Sequence, residues 1–435
     1  MGPQGLHGML GLKEGNDMKN KPIFLGIFLF GLLIFSGCCG ETAPPGMVPP
    51  GPEGPGVVPE PEEPEVVPRE PPPEIPKGIL VDKIPAGADV MFVSLRYVLS
   101  DPDCLDENYE LKDNFINDPD CNALIYAPDS QHASPLQLFI MDIETGHVTQ
   151  ITNTDCFFSS GQVVDSKTIM TIAMCSDTDD NGRINFQDEP DIYLLDLEKG
   201  EMDCLTCEHD LIAVNNPDYS SATGKIVFSS GTGLGMNNHI FTIDAEKNLV
   251  QLTNDSEYMD FDCSWSEDGK RIVFNRLPQQ NYPFTIPSQV WLMDADGSNL
   301  EKITNGGPTS EEENHWQLYP IGTDADPDLS PDNNEIVFSR LRTGKENAPF
   351  GVYEMAVVNV DTKEVTVLDS NYANMLPEWE EGGVLILRQI AGTTEPMDIK
   401  QSLYLYKDGS FEDLEGYPYN VFPLGAYSCS WVERE

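Results

Sequence analysis

The chain repeats itself, and a repeat too small to bury its own apolar face dictates how its neighbours must stack. One unit is a strand ending in an acidic residue, a tight turn, then a second strand ending in Leu/Ile-Thr. It runs from Leu138-Phe139-Ile140-Met141-Asp142 to Ile151-Thr152, and from Ile192-Tyr193-Leu194-Leu195-Asp196 to Leu205-Thr206. It returns from Ile240-Phe241-Thr242-Ile243-Asp244 to Leu252-Thr253, and from Val290-Trp291-Leu292-Met293-Asp294 to Ile303-Thr304. Degenerate copies, Ala356-Val357-Val358-Asn359 to Val367-Leu368 and Leu403-Tyr404-Leu405-Tyr406 to Leu414, bring the count to six.

Between them recurs a second unit: Pro-x-aromatic-Ser, a Gly/Asp/Asn turn and an apolar strand. It pairs Pro217-Asp218-Tyr219-Ser220 with Ile226-Val227-Phe228, and Cys263-Ser264-Trp265-Ser266 with Ile272-Val273-Phe274. It also pairs Pro327-Asp328-Leu329-Ser330 with Ile336-Val337-Phe338, and Pro377-Glu378-Trp379 with Leu385-Ile386-Leu387. A worn copy lies near Gln162–Ala173. The sixth is split, since Cys429-Ser430-Trp431 lacks a following strand and Asp89–Ser94 lacks a preceding one.

Two two-stranded units per repeat predict a four-stranded antiparallel blade, and six blades close a ring. The split unit is then the closure, the N-terminal strand completing the blade begun by the C-terminus and removing a free sheet edge. The expected fold is all-β, a six-bladed β-propeller over residues 77–435. On these residues the chain from about Lys77 to Glu435 resembles the WD40-like repeats of TolB-type six-bladed β-propellers. The resemblance implies a fold and a binding habit, not a substrate.

Loop lengths favour one face. In a blade of strands A to D, the A–B and C–D turns share one face, and here they are short: Glu267-Asp268-Gly269, Asp332-Asn333-Asn334, Glu144-Thr145-Gly146, Asp296-Gly297-Ser298. The opposite face takes the large insertions, Leu95–Pro135, Cys175–Glu189, Gly231–Asn238, Leu277–Pro287, Asn305–Gly322, Leu341–Gly351 and Ile390–Asp398. Long loops gathered on one side of a rigid ring are where binding sits.

The N-terminus reads as an address. Ile23–Phe35 is too short to span a bilayer comfortably and fits a signal-peptide apolar core, with Lys19 and Lys21 as its positive flank. Met18 is therefore read as the true start, residues 1–17 as an upstream extension and residues 18–37 as the signal peptide. Phe35-Ser36-Gly37-Cys38 resembles a lipoprotein lipobox, with Phe35 where that family usually has Leu. The resemblance implies lipidation at Cys38, plain secretion being the alternative. Residues 38–76 form a Pro/Glu-rich linker; at ~3.1 Å per residue its polyproline stretch reaches on the order of 100 Å from the membrane.

Composition excludes some partners. A net charge of −48 and a pI near 4.1 lack the basic footprint of a nucleic-acid binder and disfavour charge-driven adhesion to anionic lipid, so membrane contact is expected through the anchor alone. The acidity itself reads most simply as a solvated surface. A monomer is expected.

The insertion after Cys175 carries Asp177, Asp179 and Asn181 at loop positions 1, 3 and 5, Gly182 at 6, Ile184 at 8 and Asp188 at 12. Oxygen donors at this spacing predict a hard-cation loop for Ca²⁺, with Arg183 giving its carbonyl and Asp188 closing the shell. The loop is similar to those of EF-hands and dockerins, but with Asp at position 12 and Pro190 and a strand where those families have a helix. An unpaired extracellular loop of this kind implies an affinity of roughly 10⁻⁴–10⁻³ M.

Cys104, Cys121, Cys156, Cys175, Cys204, Cys207, Cys263 and Cys429 remain once Cys38 and Cys39 are set aside, and an oxidising location predicts disulfides. Cys104 with Cys121 is the best pair, since the two close the first insertion. Cys204-Leu205-Thr206-Cys207 is a CxxC along a strand end rather than ahead of a helix, so it reads as structural rather than redox or zinc. Cys263 and Cys429 occupy equivalent positions in nearly opposite blades, too far apart to pair.

No Gly-x-Ser-x-Gly or His-Glu-x-x-His occurs, so the hydrolases that append a propeller to a catalytic domain are not supported. The expected function is a surface-anchored, non-enzymatic propeller that binds a protein or glycan on its long-loop face. The alternatives are an extracellular polysaccharide lyase or hydrolase, for which His209, His239 and His315 are the metal candidates, and a TolB-like envelope-complex component.

Overall fold

The computed structural model describes residues 77–88, 90–95, 136–142, 148–178, 182, 184, 188–231, 238–279, 285–307, 321–342, 352–370, 372–380, 382–391, 399–413 and 429–432. All lie in the second of two compact units, Thr42–Glu435. The signal peptide, Cys38, the linker, the Cys104 and Cys121 pair, and Asp179, Asn181 and Arg183 fall outside the described residues.

Six four-stranded antiparallel blades are present, with no helix among the described residues. In order from the inner strand A outward, blade 2 is Phe157–Asp165, Thr168–Met174, Asp191–Asp196 and Glu201–Cys204. Blade 3 is Ile212–Ser220, Lys225–Gly231, Asn238–Asp244 and Val250–Gln251. Blade 4 is Tyr258–Trp265, Arg271–Pro278, Gln289–Asp294 and Glu301–Lys302. Blade 5 is Asp324–Leu329, Glu335–Arg342, Val352–Asn359 and Val365–Asp369. Blade 6 is Ala373–Glu380, Gly383–Ala391, Ile399–Lys407 and Ser410–Asp413.

Blade 1 is the closure. Its inner strand Cys429–Trp431 comes from the C-terminus and its other three, Val90–Leu95, Leu136–Met141 and Val148–Gln150, from the N-terminal side. The register is Val90↔Trp431, Met91↔Ser430 and Phe92↔Cys429, as the split repeat implies.

The Ile-Val-Phe of strand B explains how the blades adhere. Successive side chains of a strand point to opposite faces. Ile226 and Phe228 pack toward blade 2 while Val227 packs toward blade 4. Ile272 and Phe274 likewise join blade 3 and Val273 joins blade 5; Ile336 and Phe338 join blade 4 and Val337 joins blade 6. A strand buried on both faces is therefore apolar without interruption. Phe228, Phe274 and Phe338 are each fully buried.

The recurrent Thr has a mechanical reason too. The outer strand stops short of Leu/Ile-Thr in blades 3 and 4, and the Thr Oγ1 accepts a strand-C N–H instead: Ile240 N at 2.9 Å for Thr253 and Val290 N at 2.9 Å for Thr304. Thr152 and Thr206 accept from Leu138 N and Ile192 N in the same way.

Strand A carries a bulge in blades 3 to 6, with Asn216, Asp262, Asp326 and Leu376 at φ 47° to 50°. Pro217, Pro327 and Pro377 follow three of these residues, where a missing N–H costs no ladder bond. One element is not visible in the repeat. Gly78–Ile79 pairs with Thr152–Asn153, and Ile79, Val81 and Ile84 lie on the core between blades 1 and 2.

Candidate functional site

Antiparallel order turns the strand ends that flank the B–C connections (96–135, 175–190, 232–237, 279–288, 343–351, 392–398) and the D–A connections to one face of the ring. The A–B gaps (166–167, 221–224, 266–270, 330–334, 381–382) lie on the other. The long-loop face is thus a property of the strand order. Most residues of its loops lie outside those described, but the floor beneath them is described.

That floor is built on arginines at one register of strand B. Arg276 forks onto Asp260, Nε to Oδ1 at 2.6 Å and Nη2 to Oδ2 at 2.9 Å, and its guanidinium lies 5.0 Å from both the Tyr258 and Trp291 rings. Arg340 forks onto Asp324 at 2.5 and 3.0 Å. Arg388 donates to Asp369 at 2.7 Å and to the Asn374 side-chain oxygen at 3.0 Å, among Tyr372, Tyr404 and Phe411. All three arginines are buried. Burial pushes the Asp260 carboxyl up, but Arg276, His239 and Thr253 outweigh it and hold the group below its usual range. Sequence reading missed this floor, although Phe-x-Arg at Phe274–Arg276 and Phe338–Arg340 was there to see.

A second set of carboxylates lines the inner strands and links blade to blade. Asp218 accepts from Trp265 N at 2.6 Å and from Gln162 Nε2 at 3.0 Å. Asp328 accepts from Trp379 N at 2.6 Å and from the Ser264 hydroxyl at 2.5 Å. Within blade 4, Asp262 accepts from Asn275 Nδ2 at 2.9 Å. Asp260, Asp262 and Asp324 are buried, so these few carboxylates stand apart from the acidic surface.

Burial pushes Asp262 up to about 6 and Asp328 to about 7; burial, then the Asp262 charge, pushes Asp326 to about 8. Carboxyls with raised folded pKa values favour the fold fully below the unfolded value near 4. That contribution is lost as pH rises through 6 to 8. The melting temperature is therefore expected to fall between pH 5 and pH 8.5. Asp326→Asn, which removes one such group, is expected to flatten the slope and raise the pH 8.5 value by a few degrees. Thermal melts across this window check it; an unchanged slope contradicts the assignment.

On blade 2 the residues of the cation loop that are described come together at its two ends. Asp177 Oδ2 accepts from Gly182 N at 2.7 Å, and Gly182 has φ 86°, the left-handed region that glycine adopts without a Cβ clash. Asp188, 3% exposed, accepts at Oδ1 from Thr178 N at 2.7 Å and from its hydroxyl at 3.1 Å. Position 12 is thereby bonded to position 2.

Two disulfides lie at the same face, Cys156–Cys175 and Cys204–Cys207, and they fit an oxidising, extracytoplasmic location. Cys263 is buried and free, its thiol pushed well up by burial. Among the described residues, Asp191, Cys204 and Cys207 form a possible metal-binding group, with donor atoms within 4.8 Å of one another. While the sulfurs are bonded to each other, however, they are not free thiolates. Of the histidines considered for a metal, His239 is buried with Nδ1 4.0 Å from Asp260 Oδ2, His209 follows the CxxC, and His315 lies outside the described residues.

The strand order defines the class, a six-bladed β-propeller closed by strands from both termini. No protein-family model matches the sequence, and no curated protein sequence matches it. Among solved structures it is similar to TolB from Acinetobacter baumannii, at 16% identity over 77% of this chain and 66% of that one, with a TM-score of 0.42. It is similar to an oligogalacturonate lyase in complex with manganese, at 13% identity over 64% and 70%, TM-score 0.42. A nidogen/laminin complex matches at 8% identity over 75% and 89%, TM-score 0.43. These likenesses concern the fold.

Proposed function

We propose that the chain is a cell-surface lipoprotein, anchored through Cys38 on an extended acidic stalk. Its propeller binds an extracellular protein or glycan on the long-loop face and catalyses nothing. The observation that carries this reading is the segregation of every long B–C connection to one face, above a floor fixed by buried Arg–carboxylate pairs. Pinned side chains hold loop ends in fixed places, which lowers the ordering cost of binding. Calcium held by Asp177, Asp179, Asn181, the Arg183 carbonyl and Asp188 is a structural brace for one of these loops. It would neutralise carboxylates that otherwise repel.

A pull-down with residues 77–435, in calcium and in chelator, tests the binding; no retained protein or glycan in either condition rejects it. Millimolar calcium is expected to raise the melting temperature by a few degrees, because a ligand that binds only the folded state stabilises it by mass action. Asp177→Ala should remove most of that rise. A wild-type melt indifferent to calcium rejects the brace.

A further inference from the structure

The ring supplies its own controls, because the corner where strand D ends beside strand C is built four times. At that corner the residue before the strand-C leucine, isoleucine or valine whose N–H meets the Thr hydroxyl is Gln137 in blade 1, His239 in blade 3 and Gln289 in blade 4, but Asp191 in blade 2. The residue before Leu/Ile-Thr is Gln150, Gln251 and Lys302, but Cys204; the residue after it is Asn153, Asn254 and Asn305, but Cys207. In every copy the Thr hydroxyl already closes the corner. Gln150 and Gln251 add a bond to the threonine carbonyl at 2.6 and 2.9 Å. Three blades therefore hold this corner without sulfur. A bridge spanning two residues also closes almost no loop, so it gains little from the unfolded state.

What blade 2 has instead is chemistry. Cys207 is exposed and Cys204 half-buried. The Cys207 N–H points at Cys204 Sγ, 3.1 Å away. Asp191 Oδ2 lies 3.5 Å from Cys207 Sγ and the Tyr193 hydroxyl 3.7 Å from it, while the Thr206 hydroxyl occupies Asp191 Oδ1 at 2.6 Å.

We infer that Cys204–Cys207 is a thiol–disulfide exchange site on the long-loop face, reduced by a low-molecular-weight thiol. A thiolate attacks the exposed Cys207 sulfur, and the S–S electron pair leaves on Cys204, where the Cys207 N–H stabilises it. A second thiolate attacks the non-protein sulfur of the mixed disulfide and releases Cys207. The net change is two thiols oxidised to one disulfide, with the protein bridge reduced to two thiols. Reduced Cys207 then donates its S–H to Asp191, a bond that favours the open form and that the sibling corners cannot make. The sequence alone favoured a structural pair; the comparison among blades favours exchange.

The test equilibrates the native full chain with graded ratios of reduced to oxidised glutathione, then alkylates and maps the cysteines by mass spectrometry. Cys204 and Cys207 are expected to be alkylated at ratios where Cys156 and Cys175 remain bridged and the fold, by circular dichroism, is unchanged. A bridge that resists until the protein unfolds, or opens only together with Cys156–Cys175, overturns the proposal. Asp191→Asn is expected to lower the reduced-to-oxidised ratio of this pair by about tenfold, the equivalent of one pKa unit of interaction; an unmoved ratio removes Asp191 from it. Cys204→Gln with Cys207→Asn restores the sibling corner and should melt where the wild type does. A clear loss of melting temperature would make the bridge a structural brace.

Discussion

Deleting residues 429–435 is expected to abolish cooperative folding of the ring. Cys429–Trp431 is the innermost strand of blade 1, and its loss leaves Val90–Leu95 with an unpaired edge facing the channel. Val432, buried in the core between blades 1 and 2, leaves with it. An open ring also loses closure itself, so blades 1 and 6 are no longer held against each other. Calorimetry should show a broad, low-enthalpy transition, and amide exchange should be fastest in Val90–Leu95. A truncated chain that melts sharply within a few degrees of the intact one would show that closure is not what holds the ring.

Arg276→Met is expected to cost about 3–5 kcal/mol, because it strands a buried carboxylate. Asp260 is 0% exposed and its two oxygens are held by the guanidinium fork. The melting temperature should fall by about 10 °C. With Arg276 present, the Asp260 carboxyl stays below its usual range, so its favourable contribution exists above pH 4 and is lost on acidification. In the variant, burial is opposed only by His239 and Thr253 and pushes that carboxyl up. The deficit should therefore be larger at pH 8 than at pH 5. Asp260→Leu added to Arg276→Met should recover most of the loss, since two apolar groups replace the pair without an orphan charge. If the double variant is no better than the single, packing of the arginine among Tyr258, Phe274 and Trp291 is the larger contribution.

The blades were legible because their signals are local and repeated. Period-two strands, Asp/Gly turns and a Thr at a fixed offset each depend on a few neighbouring residues. The closure was legible for a subtler reason, namely that two incomplete half-units fit each other. What escaped depends on register across strands. Phe157 pairs with Met174, which sets Cys156 opposite Cys175, but two irregularities in the blade 2 hairpin hide that register from the sequence. The proposed Cys104 and Cys121 pair lies outside the described residues. The inner carboxylates escaped because composition does not tell a buried aspartate from a solvated one. Only the bulges at Asp262 and Asp326 turn these residues inward.

The strap formed by residues 77–84 decides how the ring responds to force. Any pull on the chain ahead of Lys77 first meets an exposed ion pair to Asp155, the two-residue ladder Gly78–Ile79, and the bonds Leu80 N to Ile151 O and Ile84 N to Ser166 O. These can be drawn open in turn, lengthening the chain ahead of the ring while the load stays small. The strand that closes the ring comes next along the chain, held between Cys429–Trp431 on one side and Leu136–Met141 on the other. Tension therefore spends itself on an expendable clasp, and the propeller stays shut until that clasp has run out.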